Sequence, residues 1–289
     1  MNNSLLEQFE TEIVSSTQIP FCQIQNPPNL SLAQIEQHNS PWGWFIPSEQ
    51  AELADFNLTE DWTATRLTFG EDTPNPRHVD GFLAHKIKIV VLHQSNIEVQ
   101  EKAANGWKYC GLAYKSGQLT PQGELAKSDR NNFRLRTHYL LFFLNSKKEL
   151  LHPAPIKIGM NAGVGAAFNG ELKEFRKEIE TVFFTQRNQP QQQLSNRAHS
   201  LTIFEAELGL HKGDGKSPYL YPARRFTPDK SSQITRRDRQ IHLLNKPIEE
   251  LIIPKASDTG KAILDAWEEN KGFAAKYQDD LAEFDEISF

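Results

Sequence analysis

Apolar residues between Trp62 and Leu144 fall in short runs rich in β-branched and aromatic side chains, broken by Gly, Pro and Asn. That is the pattern of strands and turns, and it predicts strands over 63–69, 81–93, 106–114 and 137–144. Within the second of these, Lys86-Ile87-Lys88-Ile89 alternates, so the lysines share one face and the isoleucines the other. The stretch 156–160 opens with the same alternation and leads into a Gly-rich segment, 161–170, expected as a flexible turn whose glycines permit positive φ. Leu172, Phe175, Ile179, Val182 and Phe183 then recur at helical spacing, which predicts a helix over 171–184 with Glu178 and Glu180 on its solvated face. Further strands are expected over 200–208 and 219–226, and a last helix over 260–277.

The flanks read differently. Residues 1–40 are polar and rich in Gln, Asn, Ser and Pro, a composition of loop or disorder. Pro41-Trp42-Gly43-Trp44-Phe45-Ile46-Pro47 is the densest aromatic cluster, and its acidic surroundings assign Trp42, Trp44 and Phe45 to a core or an interface. The folded part is expected to begin there. The chain is predicted to be mostly β with helical additions: an OB-like five-stranded barrel with an inserted helix, a β-sandwich being the rival, and termini that are disordered or helical. The expected boundaries are a flexible acidic N-terminal arm over 1–40, an OB-like domain over 41–226, a basic linker and helix over 227–276, and an acidic C-terminal tail over 277–289.

Charge assigns a partner to the middle of the chain. The net charge of -5 conceals segregation: 1–65 holds nine acids and no Lys or Arg, 66–263 holds 30 Lys and Arg against 20 Asp and Glu, and 264–289 holds eight acids against two lysines. A basic centre between acidic ends points to an anionic ligand, because Lys and Arg that neutralise phosphates release condensed counterions. Aromatic and basic residues interleave in that centre, in Trp107-Lys108-Tyr109, Tyr114-Lys115, Phe133-Arg134-Leu135-Arg136 and Arg224-Arg225-Phe226. Single-strand binding needs such a mixture, since bases stack on rings for ~1–3 kcal/mol each while cations follow the backbone. The candidate nucleic-acid-binding residues are therefore Lys86, Lys88, Trp107, Lys108, Tyr109, Tyr114, Lys115, Arg130, Phe133, Arg134, Arg136, Arg224 and Arg225, with Arg134 and Arg136 on a common face.

Other chemistry finds little support. Gly163-x-Gly165-x-x-Phe168 lacks the third glycine and the βαβ setting of a dinucleotide fingerprint. The nine histidines are scattered without metal-ligand spacing, and no nucleophile-elbow or Cys–His signature occurs. No apolar run approaches the ~18 residues of a membrane span, and Met1-Asn2-Asn3-Ser4 lacks the positive start of a secretory signal. Cys22 and Cys110 are too isolated for a disulfide framework. The expectation is a cytoplasmic, non-enzymatic protein with no cofactor, no metal and no membrane partner.

Residues 277–289 carry five carboxylates, no base and a final Phe. Asp285-Glu286-Ile287-Ser288-Phe289 resembles the acidic tip of bacterial and podophage single-stranded DNA-binding proteins, with Ser288 where the bacterial form has Pro. The resemblance, which covers roughly the last dozen residues, implies an OB fold, binding of single-stranded DNA, and a tail that recruits replication, recombination or repair proteins. It makes Asp285, Glu286, Ile287 and Phe289 candidate partner-binding residues. Over most of its length the chain also resembles, without a diagnostic motif, uncharacterised proteins of cyanobacterial plasmids and phage-like elements, which implies replication or recombination of a mobile element. A homo-oligomer is compatible with this reading. The alternative is a structural or assembly protein of a phage-like element with acidic docking arms, suggested by the base-free first 65 residues. A third reading is an RNA-binding or nuclease-associated factor.

Overall fold

Residues 19–26, 32–37, 40–69, 76–104, 106–211, 219–224 and 243–273 are described by a computed structural model. The strands are β1 (Phe21–Gln25), β2 (Gly43–Pro47), β3 (Thr63–Phe69), β4 (Arg77–Ala84), β5 (Lys86–Gln94), β6 (Glu98–Ala103), β7 (Gly106–Leu112), β8 (Tyr114–Lys115), β9 (Gln118–Leu119), β10 (Phe133–Leu144), β11 (Ile156–Asn161), β12 (Phe204–His211) and β13 (Tyr219–Arg224). The helices are α1 (Leu32–Gln37), α2 (Ser48–Leu53), α3 (Pro121–Ser128), α4 (Ala162–Gln186), α5 (Asn196–His199), α6 (Ile248–Leu251) and α7 (Asp258–Glu269).

The protein is mostly β with helical additions, and 11 strands join one mixed sheet in the order β13-β12-β5-β10-β11-β1-β2-β4-β3 with β6 and β7 off that path. β10 is long enough to take two partners on one edge: Tyr139–Leu144 pair with β5 and Phe133–Arg136 with β6, which in turn pairs with β7. Among the described residues every pairing is antiparallel except that of β1 with β11. Among the described residues no pairing joins β13 to β3, so the ring closure of a five-stranded barrel is not among the ladders observed. The stretch 81–93, expected as one strand, breaks at His85 into β4 and β5, which belong to different parts of the sheet. Part of the stretch expected as an arm, Phe21–Gln25, is a central strand between β11 and β2.

β10 explains how the core is divided. Tyr139, Leu141 and Phe143 face α4 and pack with its Phe168, Leu172, Phe175, Ile179 and Val182. Leu140, Phe142 and Leu144 point to the opposite side and pack with Ile263, Leu264 and Ala266 of α7 and with Phe273. Both faces of the strand's second half are buried, which accounts for its continuous apolar run. A smaller cluster of Val99, Ala113 and Ala126, joined by Phe133 and Leu135, lies on the α4 side beneath α3. Trp44 and Phe45 are fully buried, and Trp42 stacks on His85 at 4.0 Å.

Two further expectations are corrected. The Gly-rich segment 161–170 is not a turn but the start of α4, which runs unbroken to Gln186. A Cβ at Gly165 would lie 3.0 Å from the Met160 carbonyl oxygen, so the missing side chain lets the helix begin tight against β11. Glu178 and Glu180 are buried, not solvated. Glu180 Oε1 accepts from the Leu194 N–H at 3.0 Å and lies 2.9 Å from His199 Nε2, because the chain after α4 folds back over that face.

His152 couples the core to pH. Its Nε2 accepts from the Phe143 N–H at 2.9 Å and its Nδ1 bonds the Ala154 carbonyl, so the ring is neutral with the proton on Nδ1. Burial drives the ring's pKa down from 6.5 to about 4, against the opposing bond to Ala154. The unfolded chain therefore binds more protons than the folded one between those values. Stability contributed by the neutral ring is complete above pH 6.5 and falls by about 3 kcal/mol on the way to pH 4. Urea unfolding at pH 7 and pH 4.5 checks this: the loss should shrink in a His152→Asn variant, and a flat wild-type profile would contradict it.

Candidate nucleic-acid interface

Strand registers bring several sequence-predicted residues to one patch, on the sheet face opposite α3 and α4. Gln100 of β6 lies between Arg134 of β10 and Tyr109 of β7, Lys102 is opposite Trp107, and Glu98 is opposite Arg136. On the far edge of β10, Arg136 pairs with Asn161 and His138 with Gly159, while Lys157 follows two residues away on β11. Alternation puts all of these side chains on the same side. A bulge in β7 maintains that arrangement: the register shifts between Val99 and Gln100, Gly111 takes φ 143°, and the Cys110 thiol turns to the Val99 carbonyl at 3.3 Å.

The patch is layered. Glu98, Gln100 and His138 form a buried floor, with His138 Nε2 3.3 Å from Glu98 Oε2. Above it Arg134 sets its guanidinium over the Trp107 ring, 4.4 Å from the centroid, and donates from Nε to Gln100 Oε1 at 2.7 Å. Trp107, Tyr109, Arg134, Arg136 and Lys157 are half-buried, and Lys102 and Asn161 are exposed. Burial holds His138 well below its usual pKa, and the neighbouring charges of Arg136, Lys157 and Arg134 push in the same direction. His138 is thus neutral at pH 7, and the positive charge belongs to the arginines and lysines. The Tyr109 phenol is pushed up by partial burial and by Glu98, so it stays protonated.

The remaining candidates fall elsewhere. Lys108 is opposite Glu101 on the α3 side of the hairpin. Phe133 also points that way and packs with Val99, Ala113 and Ala126, so its ring is core and offers no stacking platform on the patch. Tyr114 and Lys115 sit exposed on β8, with the Lys127 ammonium 6.0 Å from the Tyr114 ring, and Arg130 is exposed in the turn before β10. Lys86 and Lys88 pair with Glu207 and Glu205, each at 3.4 Å. Lys88 is opposite Leu144, which lies about 26 Å from Arg136 along β10 at ~3.3 Å per residue, so the two lysines do not join the patch. Arg224 is on β13, while Arg225, Asp285, Glu286, Ile287 and Phe289 lie outside the described residues.

Sequence reasoning missed Lys102, Lys157, Glu98 and Gly159. The alternation Ile156-Lys157-Ile158-Gly159-Met160 carried the signal for two of them. Glu98-Val99-Gln100-Glu101-Lys102 carried almost none, since one apolar residue in five does not mark a strand.

The fold and patch define a mixed-sheet protein with helices on both faces and a cationic, aromatic surface at one end of its longest strand. The chain belongs to the family described as Domain of unknown function (DUF5895), whose model matches residues 16–220. The matched span contains the whole patch. No curated protein and no solved structure matches the chain. Among the described residues, no group of three or more His, Cys, Asp or Glu is placed to hold a metal ion, and no helix is long and apolar enough to cross a membrane.

Proposed function

We propose that the face built by β6, β7, β10 and β11 binds single-stranded DNA, and that the protein is a non-enzymatic accessory of replication, recombination or repair in the cytoplasm. The observation that carries this reading is the Arg134–Trp107 stack beside Tyr109, with Lys102, Arg136 and Lys157 around it. Rings and guanidinium planes accept unpaired bases, and the flanking cations neutralise phosphates. Duplex DNA keeps its base faces stacked inward and would use only the charge. An open face of the sheet is sufficient here, and no closed barrel is required. The acidic stretch 277–289 serves in this proposal as the segment that recruits partner proteins.

The test is a titration with oligo(dT), a duplex and a single-stranded RNA at two salt concentrations, following tryptophan fluorescence. Oligo(dT) should quench the signal and bind more weakly as salt rises, with a slope of about −0.7 per phosphate contacted. In a Trp107→Phe variant, which keeps a ring, most of the quench should vanish while affinity falls less than about tenfold. Absence of both quench and gel shift with every single strand at low salt would overturn the proposal. It would favour the structural reading drawn from the base-free first 65 residues.

A further inference from the structure

We infer that Gly159 is a positioning residue for Arg136, its bare Cα being the seat on which the guanidinium rests; this rests on the reading of the face as a single-strand site. Gly159 lies in the middle of β11, opposite His138. Among the described residues the glycines with positive φ are Gly43, Gly106, Gly111 and Gly117, so the backbone at 159 is one that any residue adopts. Neither a turn nor a bulge calls for glycine there. A Cβ built at Gly159 would fall inside the contact radii of Arg136 Nε and Nη2 and 2.8 Å from its Cζ. The space that a side chain would fill is taken by the guanidinium.

The direction of relief follows from what is hit. The obstructed atoms are the far end of a flexible side chain, not backbone, so an added methyl displaces Arg136 and leaves the strands in place. Arg136 Cα is opposite Glu98 on one edge and Asn161 on the other, and its charge is felt at His138. With its guanidinium drawn across toward Gly159, Arg136 stands between the Trp107–Arg134 stack and Lys157. A guanidinium lifted from that seat leaves a gap in the row of cations that a phosphate chain would follow.

The experiment compares wild type, Gly159→Ala, Arg136→Ala and the double variant, by oligo(dT) titration over a salt series and by thermal melting of the full chain. Gly159→Ala should lower affinity about tenfold and reduce the salt slope by about 0.7, one phosphate contact, with a small change in melting temperature. Added to Arg136→Ala, the same substitution should change nothing further, because its effect acts through the arginine. A merely structural role would lower melting temperature in both backgrounds and leave the slope unchanged. Wild-type affinity and slope in Gly159→Ala overturn the inference, as does an equal further loss in the Arg136→Ala background. A Gly159→Ala protein that fails to fold and is not rescued by Arg136→Ala overturns it as well. If the wild type binds no oligo(dT), the reading of the face fails first; if it binds and Gly159→Ala binds alike, only the assignment of Gly159 fails.

Discussion

Replacing Arg134 and Arg136 together with alanine should lower affinity for oligo(dT) about a hundredfold or more at low salt. Hydrogen bonds from a charged donor contribute about 1.5–3 kcal/mol each, and two residues apart on one strand the arginines address adjoining parts of one ligand. Their contributions are coupled, so a hundredfold is the lower end of the range. The salt slope should fall by about 1.4, two phosphate contacts. Folding needs a control, because the buried Glu98 carboxylate sits in the neighbourhood of these cations. Adding Glu98→Gln removes the buried charge and should preserve the loss of binding while restoring any loss of stability. Lys86→Ala with Lys88→Ala is the matched control: both lysines are ion-paired at the far end of β5 and should change affinity less than about threefold. Fluorescence titration of the three variants separates a local site from general positive charge. Equal losses in all of them would sink the assignment of the patch.

Phe168→Ala should cost about 3–5 kcal/mol of stability. The ring is fully buried near the start of α4, with centroids 4.8 Å from Tyr139, 5.5 Å from Phe204 and 6.3 Å from Trp44, all edge-on. Those partners belong to β10, β12 and β2, so one side chain joins the helix to strands from well-separated parts of the sheet. Edge-to-face pairs add about 0.5–1.5 kcal/mol each beyond the area buried. Phe183→Ala, at a half-buried ring that packs with Phe184 and Arg187, should cost about a third as much. Urea unfolding of both variants gives the comparison, and similar midpoints would refute the ranking.

Much of the architecture was legible where burial is two-sided or strictly periodic. The apolar run of β10, the alternation at Lys86–Ile89 and the helical spacing from Leu172 to Val182 all correspond to elements of the structure. What was missed follows physical lines. β6 places its polar residues on a charged face, so hydrophobicity does not mark it, and its pairing with β10 supplies the evidence instead. The first turns of α4 are held against β11 by packing that overrides the weak helix preference of glycine. The candidate site was half-legible for a reason of geometry. Neighbours in a strand point to opposite faces, so Phe133 and Arg134, or Trp107 and Lys108, cannot act on one ligand from one side, whereas Trp107 and Tyr109, or Arg134 and Arg136, can. Interleaving of rings and charges should therefore have been read at every second position.

The parallel ladder of β1 with β11 sets an order of assembly. Among the described residues, β1 is the strand whose ladders link the block ending in β11 to the block of β2, β4 and β3. Phe21 leaves the ribosome long before its partner Lys157, a wait on the order of ten seconds at synthesis rates of about 5–20 residues per second. The three strands of the smaller block can meet while translation continues, but the seam to the rest of the sheet must stay open until β11 emerges. A fragment starting at residue 41, where the aromatic cluster suggests that folding begins, would lack the β1 ladders that join the two blocks and keep across that seam the covalent turn at His85 between β4 and β5.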